Sequence, residues 1–170
     1  MLKLLHYYGI ELHNRDPESI LHIFGFVHFC EAFLGIPPHF NLFRHHFCVF
    51  SYPTFKNLHI FGGARIRLRP ERIDEYIPYP ALGDSSGWEA EWFYVRNPFP
   101  HLPRIRNKAP EYVLEWLCPG SDTDEGQIGD LMQLIASIRA KRVTAASVVY
   151  NWIQRRIQPL QRRNTFGFEY

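Results

Sequence analysis

The densest hydrophobic patterning in the chain runs from Pro17 to Leu34. At about 100° per residue, Ile20, Ile23, Phe24, Val27, Cys30 and Leu34 form one stripe, and Phe26, Phe29 and Phe33 form a second on the far side. An element apolar on two faces is buried on two faces, so the spacing predicts the central helix of a core. Its ends are punctuated. Asp16 supplies an N-cap, Pro17 takes the helical position where a missing N–H costs nothing, and Gly35 with Pro37 and Pro38 closes the helix. Gly25 and Ala32 fall between the stripes and are expected to admit another backbone at close range.

The remaining pattern predicts helices at both ends and strands between them. Leu2, Leu5, Tyr8 and Leu12 suit a short first helix. A second helix, opened by Pro38, carries Leu42, Phe43, Phe47 and Phe50 and forms a hairpin with the central one. From Leu58 the period becomes two: Leu58 and Ile60 alternate with polar neighbours, Gly62 and Gly63 interrupt, and Ala64, Ile66 and Leu68 alternate with Arg65, Arg67 and Arg69. That reads as a strand pair or a bulged strand. Trp88 to Val95 reads as a third strand, and the proline-rich segment from Asn97 to Pro110 as a connector. Glu111 to Leu117 suits a short helix, and the acidic run from Ser121 a solvated loop. Ile128, Leu131, Ile135 and Ile138 then mark an amphipathic helix ending near Lys141. Thr144 caps a final helix whose broad apolar face holds Ala145, Val148, Val149, Trp152, Ile153, Ile157 and Leu160, with Pro159 expected to kink or end it. The expected class is α+β, a mainly helical single domain over residues 1–170 with a small antiparallel sheet formed by the middle of the chain.

Composition narrows this picture. With 170 residues the chain suits one domain able to bury roughly 70 % of its unfolded surface, so neither disulfide nor metal is needed for stability. A hydrophobic content of 46 %, with 14 phenylalanines and 4 tryptophans, excludes disorder of the whole. The cysteines number 3 and contain no C-x-x-C pair, which suits a reducing compartment. Ile20 to Leu34 is too short for a membrane span and carries His22, His28 and Glu31, and the start lacks a signal-peptide pattern. The expected location is therefore cytoplasmic or nuclear, with no membrane.

Net charge is +2, unevenly placed. Twelve basic residues face sixteen acidic ones up to Asp130, a net −4, and seven face one from Leu131 onward, a net +6. Arg139, Lys141, Arg142, Arg155, Arg162 and Arg163 are thus the candidates for nucleic-acid phosphates, against the plainer reading of solvated helix faces and C-terminal turns. Two charges fall where apolar residues belong. Glu31 lies about 40° from Val27 on the central stripe, and Arg156 about 40° from Trp152 on the last face. Both are expected to point coreward and to solve each other's burial as a structural ion pair, the alternative being separate partners.

Four pieces in order, CEAFLGIPPHFNLFRHHF, GGARIRLRP, WFYVRNP and RRIQPLQRR, resemble the plant domain described as a putative gypsy type transposon domain, found in retroelement-derived proteins of grasses. The resemblance spans nearly the whole chain, which reads as beginning inside the family pattern, as a fragment or a trimmed gene product would. It implies a retroelement origin and carries no catalytic residues.

The retroelement enzymes are absent from the sequence. An aspartic protease needs D-[ST]-G, and Asp84, Ser85, Ser86, Gly87 has one residue too many. No paired-aspartate polymerase turn or integrase architecture fits this helical ending, and Cys30, Cys48 and Cys118 lack nucleocapsid spacing. Eight of nine histidines precede residue 60, yet His45, His46 and Cys48 with His28 or Cys30 match no zinc spacing, so core or surface histidines are expected. Asp122 to Gly126 lacks the acid a calcium loop needs near position twelve. No phosphate-binding glycine loop or nucleophile elbow appears. The expectation is a non-enzymatic structural or protein-interaction module without cofactor, binding a protein partner or itself; the alternative is a nucleic-acid-binding module using the basic C-terminal helices.

Overall fold

Asp16 sets where the central helix begins. In the computed structural model, which describes residues 2–51, 60–79, 108–119 and 122–163, its Oδ1 accepts the Ser19 N–H at 2.8 Å, filling a donor that the first turn leaves free. Helix α2 (Pro17–Phe29) continues as a π turn, Cys30–Leu34. It stops at Gly35, whose left-handed φ of 69° suits a residue without Cβ. The Ile36 N–H reaches back to the Cys30 carbonyl at 3.0 Å. The other helices are α1 (Leu2–Tyr8), α3 (Phe40–His46), α4 (Asp122–Ala140), α5 (Ala145–Trp152) and α6 (Gln158–Arg163). Strands β1 (Phe47–Ser51) and β2 (Ala64–Leu68) pair as a two-stranded antiparallel sheet. The class is mainly helical α+β. No helix among the described residues is long and apolar enough to cross a membrane.

Packing divides the chain into two units. The first comprises, within the described residues, 2–20, 47–51, 60–67 and 108–119. In it α1 buries Leu4, Leu5 and Tyr8, and Trp116, fully enclosed in a 3-10 turn, donates its indole N–H to the Tyr8 carbonyl at 2.8 Å. Phe47, Cys48 and Val49 of β1 and Ala64 and Ile66 of β2 are buried with them. Where α2 starts, the polar groups are enclosed and used. Ser19 Oγ accepts the Ile66 N–H at 2.7 Å, and Asp16 Oδ2 accepts from Arg65 Nε. Asn14 Oδ1 takes the Glu11 N–H at 2.7 Å, while its amide donates to the carbonyls of Ile60 and Lys108 at 2.8 and 3.2 Å. Arg15 forms a parallel bridge with Ala64.

The second unit comprises 21–46, 68–79 and 122–163. Here α2 buries Ile23, Phe26 and Phe29, with Phe26 edge-on to Phe43 of α3 at 5.2 Å and Phe24 stacked on Trp152 of α5 at 5.3 Å. Ile128, Ile135 and Ile138 of α4 and Val148 of α5 are buried too. At Gly25 a Cβ would lie 3.3 Å from Val149 Cγ2, so the expected close approach occurs there. Ala32 is exposed and takes no part in such an approach. Thr144 caps α5: its Oγ1 accepts the Ser147 N–H at 3.2 Å, and Ser147 Oγ accepts the Thr144 N–H at 3.1 Å.

Several expectations are corrected. The second helix ends at His46, and Phe47 and Phe50 belong to β1; the spacing of Phe43, Phe47 and Phe50 satisfies a helix, but the run of aromatic and β-branched residues has a strand partner in β2. Of the strand pair or bulged strand expected over Leu58–Leu68, β2 is present and Ile60 lies in a turn. The acidic run after Ser121 is the start of α4, where acids suit the positive end of the helix dipole. Glu111–Leu117 forms only a 3-10 turn, Leu114–Trp116. Of the kink or end expected at Pro159, the end is absent, and the irregularity falls just before the proline. A π turn, Ile153–Ile157, precedes it, the Gln158 N–H bonds the Ile153 carbonyl, and the chain continues as α6 through the proline. Leu58, Trp88–Val95 and residues 97–107 lie outside the described residues.

Candidate functional site

The basic residues of the C-terminal helices occupy distinct settings in the second unit. Arg139, near the end of α4, is half-buried and its NH2 lies 3.6 Å from Asp74 Oδ1. Lys141 and Arg142 follow in the exposed turn, Arg142 with the left-handed φ of 61° in the place where glycine usually closes a helix. Arg155 is exposed in the π turn. Arg162 and Arg163 lie on the backbone of α6, and their side chains are outside the described residues. Lys141, Arg142 and Arg155 therefore present cations to solvent, and Arg139 is partly committed to Asp74.

Glu31 and Arg156 meet: Arg156 NH2 donates to Glu31 Oε2 at 3.1 Å. The setting differs from the sequence expectation. The side chains are 42 % and 61 % exposed, so neither charge points into the core. Both sit on π turns, Cys30–Leu34 and Ile153–Ile157, whose extra residue per turn rotates the side chains away from the register of an ideal α-helix. A pair held in water is worth far less than a buried one.

A tighter arrangement gathers around Glu75, which sequence periodicity did not single out because it lies in the irregular stretch after β2. His45 Nε2 lies 2.9 Å from Glu75 Oε2, and Arg72 NH1 donates to both carboxylate oxygens at 2.9 and 3.1 Å. Burial works to raise the Glu75 pKa, but hydrogen bonds from His45 and Arg72 outweigh it and hold the carboxyl below its ordinary value. Beside it, His46 is fully enclosed, with His45 at 4.9 Å and Tyr76 at 4.7 Å between ring centres and neither ring nitrogen hydrogen-bonded. Burial, with the neighbouring His45 charge, pushes its pKa down to about 3. Burial raises the Tyr76 hydroxyl well above its ordinary value, with the nearby Cys30 adding to the shift. Burial also raises the Cys30 thiol to about 11. A carboxylate clamped by guanidinium is a poor general base, and a thiol held protonated is a poor nucleophile. On α2, His28 Nε2 lies 2.9 Å from Asn151 Oδ1 of α5, a structural link between helices. No group of three or more His, Cys, Asp or Glu among the described residues is placed to hold a metal ion.

Residues 1–51, which run from α1 through β1, match the family model described as "Putative gypsy type transposon". Of the four pieces that carry the sequence resemblance, CEAFLGIPPHFNLFRHHF lies inside this match and the other three lie beyond it. No curated protein and no solved structure matches the chain.

Proposed function

We propose that the chain is a non-enzymatic, retrotransposon-derived structural or protein-interaction domain acting in the cytoplasm or nucleus. The observation that carries this reading is the transposon family match over residues 1–51. A surface of the first unit supports it. Around the buried Trp116, the 3-10 turn leaves Val113, Leu114 and Leu117 exposed, Leu114 by 73 %. Apolar residues gathered on one turn favour contact with another protein surface or a second copy. The non-enzymatic part rests on the sequence, which lacks protease, polymerase and integrase motifs. Sedimentation of the full chain over a wide concentration range tests it: the mass is expected to rise with concentration, and Leu114→Ser to lower that association. An invariant monomer that also captures no partner through this turn would remove the reading.

A second reading, nucleic-acid binding, is supported by the exposed Lys141, Arg142 and Arg155. If these residues contact phosphates, affinity falls steeply between about 50 and 200 mM salt, with a log-log slope of about −0.9 per phosphate neutralised. Combined Lys141→Glu and Arg155→Glu substitutions should abolish such binding. Binding that survives them would refute this use of the basic residues.

A further inference from the structure

Exposed charges of opposite sign stand uncommitted in the two units. Glu111 and Glu115 of the first unit are exposed and enter no ion pair among the described residues, and the same is true of Lys141, Arg142 and Arg155 in the second. Each set borders exposed apolar side chains: Val113, Leu114 and Leu117 beside the acids, and Tyr150, 62 % exposed, between the basic residues along the chain.

The acidic turn is preformed. Trp116 is fully enclosed, donates its indole N–H to the Tyr8 carbonyl at 2.8 Å and meets the Tyr112 ring edge-on at 5.5 Å. The Leu117 N–H closes on the Leu114 carbonyl at 3.1 Å. Residues three apart eclipse in a 3-10 turn, so Leu114 and Leu117 stand on one side of it. Lys108 is the one cation in residues 108–119. Holding such a turn in place before contact removes an ordering cost from binding. In the second unit, Lys141 and Arg142 lie in the turn that leads into α5, Tyr150 is exposed on α5 itself, and Arg155 follows on the π turn.

We infer that the apolar turn of one copy docks head to tail on the exposed face of α5 of a second copy, with Glu111 and Glu115 set against Lys141, Arg142 and Arg155. This rests on the reading of the chain as a protein-interaction domain and names the chain itself as the partner. Contact between two acidic turns, or between two basic helix faces, would bring like charges together, whereas the head-to-tail contact opposes unlike ones. One turn against one helix face makes a small interface, so the association is transient and concentration-dependent.

The test is sedimentation of the purified, nucleic-acid-free full chain and of two charge-reversed variants, Glu111→Lys with Glu115→Lys and Lys141→Glu with Arg155→Glu. All four positions are exposed, and unchanged Tm values confirm that the variants fold. Self-association of the wild-type chain is expected to weaken between about 50 and 500 mM salt. Each variant alone should associate at least about tenfold more weakly, and mixing the two should restore association, because the turn of each then faces a helix of opposite charge. Association that survives in both variants overturns the head-to-tail contact and leaves the protein-interaction reading standing. Survival in only one variant means that like surfaces pair, and an unrestored mixture means that these charges do not face each other; either result also overturns it. A wild-type chain that stays monomeric overturns it as well, and removes the wider reading only if no other partner is captured.

Discussion

In the first unit the Asp16 carboxylate is 1 % exposed and meets an Arg65 side chain that is 16 % exposed; in the second, Glu31 meets Arg156 with 42 % and 61 % of their side chains in water. The chemical groups are the same, a carboxylate and a guanidinium. Their consequences differ. Removing Arg65 leaves the Asp16 carboxylate enclosed with one acceptor oxygen robbed of its bond, whereas removing one member of the exposed pair returns the other to water. Asp16 also has a backbone task, since its second oxygen caps α2 through Ser19. The second unit encloses imidazoles instead: His28 is held by Asn151, and His46 is packed against His45 and Tyr76. Burial pushes the His46 pKa down to about 3, so it is enclosed as a neutral imidazole and makes the unit sensitive to acid.

The largest expected effect probes the enclosed pair. Asp16→Ala should cost about 3 kcal/mol, from the lost bond to Arg65 and the lost cap together. Asp16→Asn, which keeps a cap acceptor, should recover only the smaller share. Denaturant unfolding measures both, and a loss below about 1 kcal/mol for Asp16→Ala would erase the contrast between the units.

Next comes the pH response of the second unit. His46 has a folded pKa of about 3 against an ordinary 6.5, so the unfolded chain binds the extra proton first. The stability this gives is fully present above pH 6.5 and is lost as pH falls from there toward 3, amounting to about 2 kcal/mol by pH 5. Glu75, whose pKa is lowered, adds to the loss only below the ordinary carboxylate range. Stability measured at pH 7 and pH 5 should therefore differ in the wild-type chain, and His46→Phe should flatten the difference. An unchanged pH dependence in that variant would place the acid sensitivity elsewhere.

The smallest effect sharpens the comparison from the other side. In a double-mutant cycle of Glu31→Gln and Arg156→Met, the coupling should be about 0.2–1 kcal/mol. A coupling near the value for a buried pair would mean that the two side chains are drawn inward in solution, and the two ion pairs would then be alike.

Read along the chain, the amino-acid pattern was enough to place α2 and its cap at Asp16, its stop at Gly35, the close approach at Gly25 and the Thr144 cap of α5. Each depends on neighbours within a few positions, on residues whose backbone preferences or short side chains act locally. What lay beyond that range was decided by packing. Phe47 and Phe50 fit a helical stripe as well as a strand, and only hydrogen bonding to β2 chose between them. Pro159 was expected to kink or end the helix, and a π turn directly before it is followed by helix to Arg163. Glu31 and Arg156 were legible as a pair but not as an exposed one, because two π turns shift the register from which their direction was read. Glu75 and Arg15 had no periodic signal at all. Whether a titratable side chain is clamped, as Glu75 is by Arg72 and His45, or enclosed without an acceptor, as Arg15 is, depends on groups distant in sequence that only the folded chain brings near, and on the water that their packing removes.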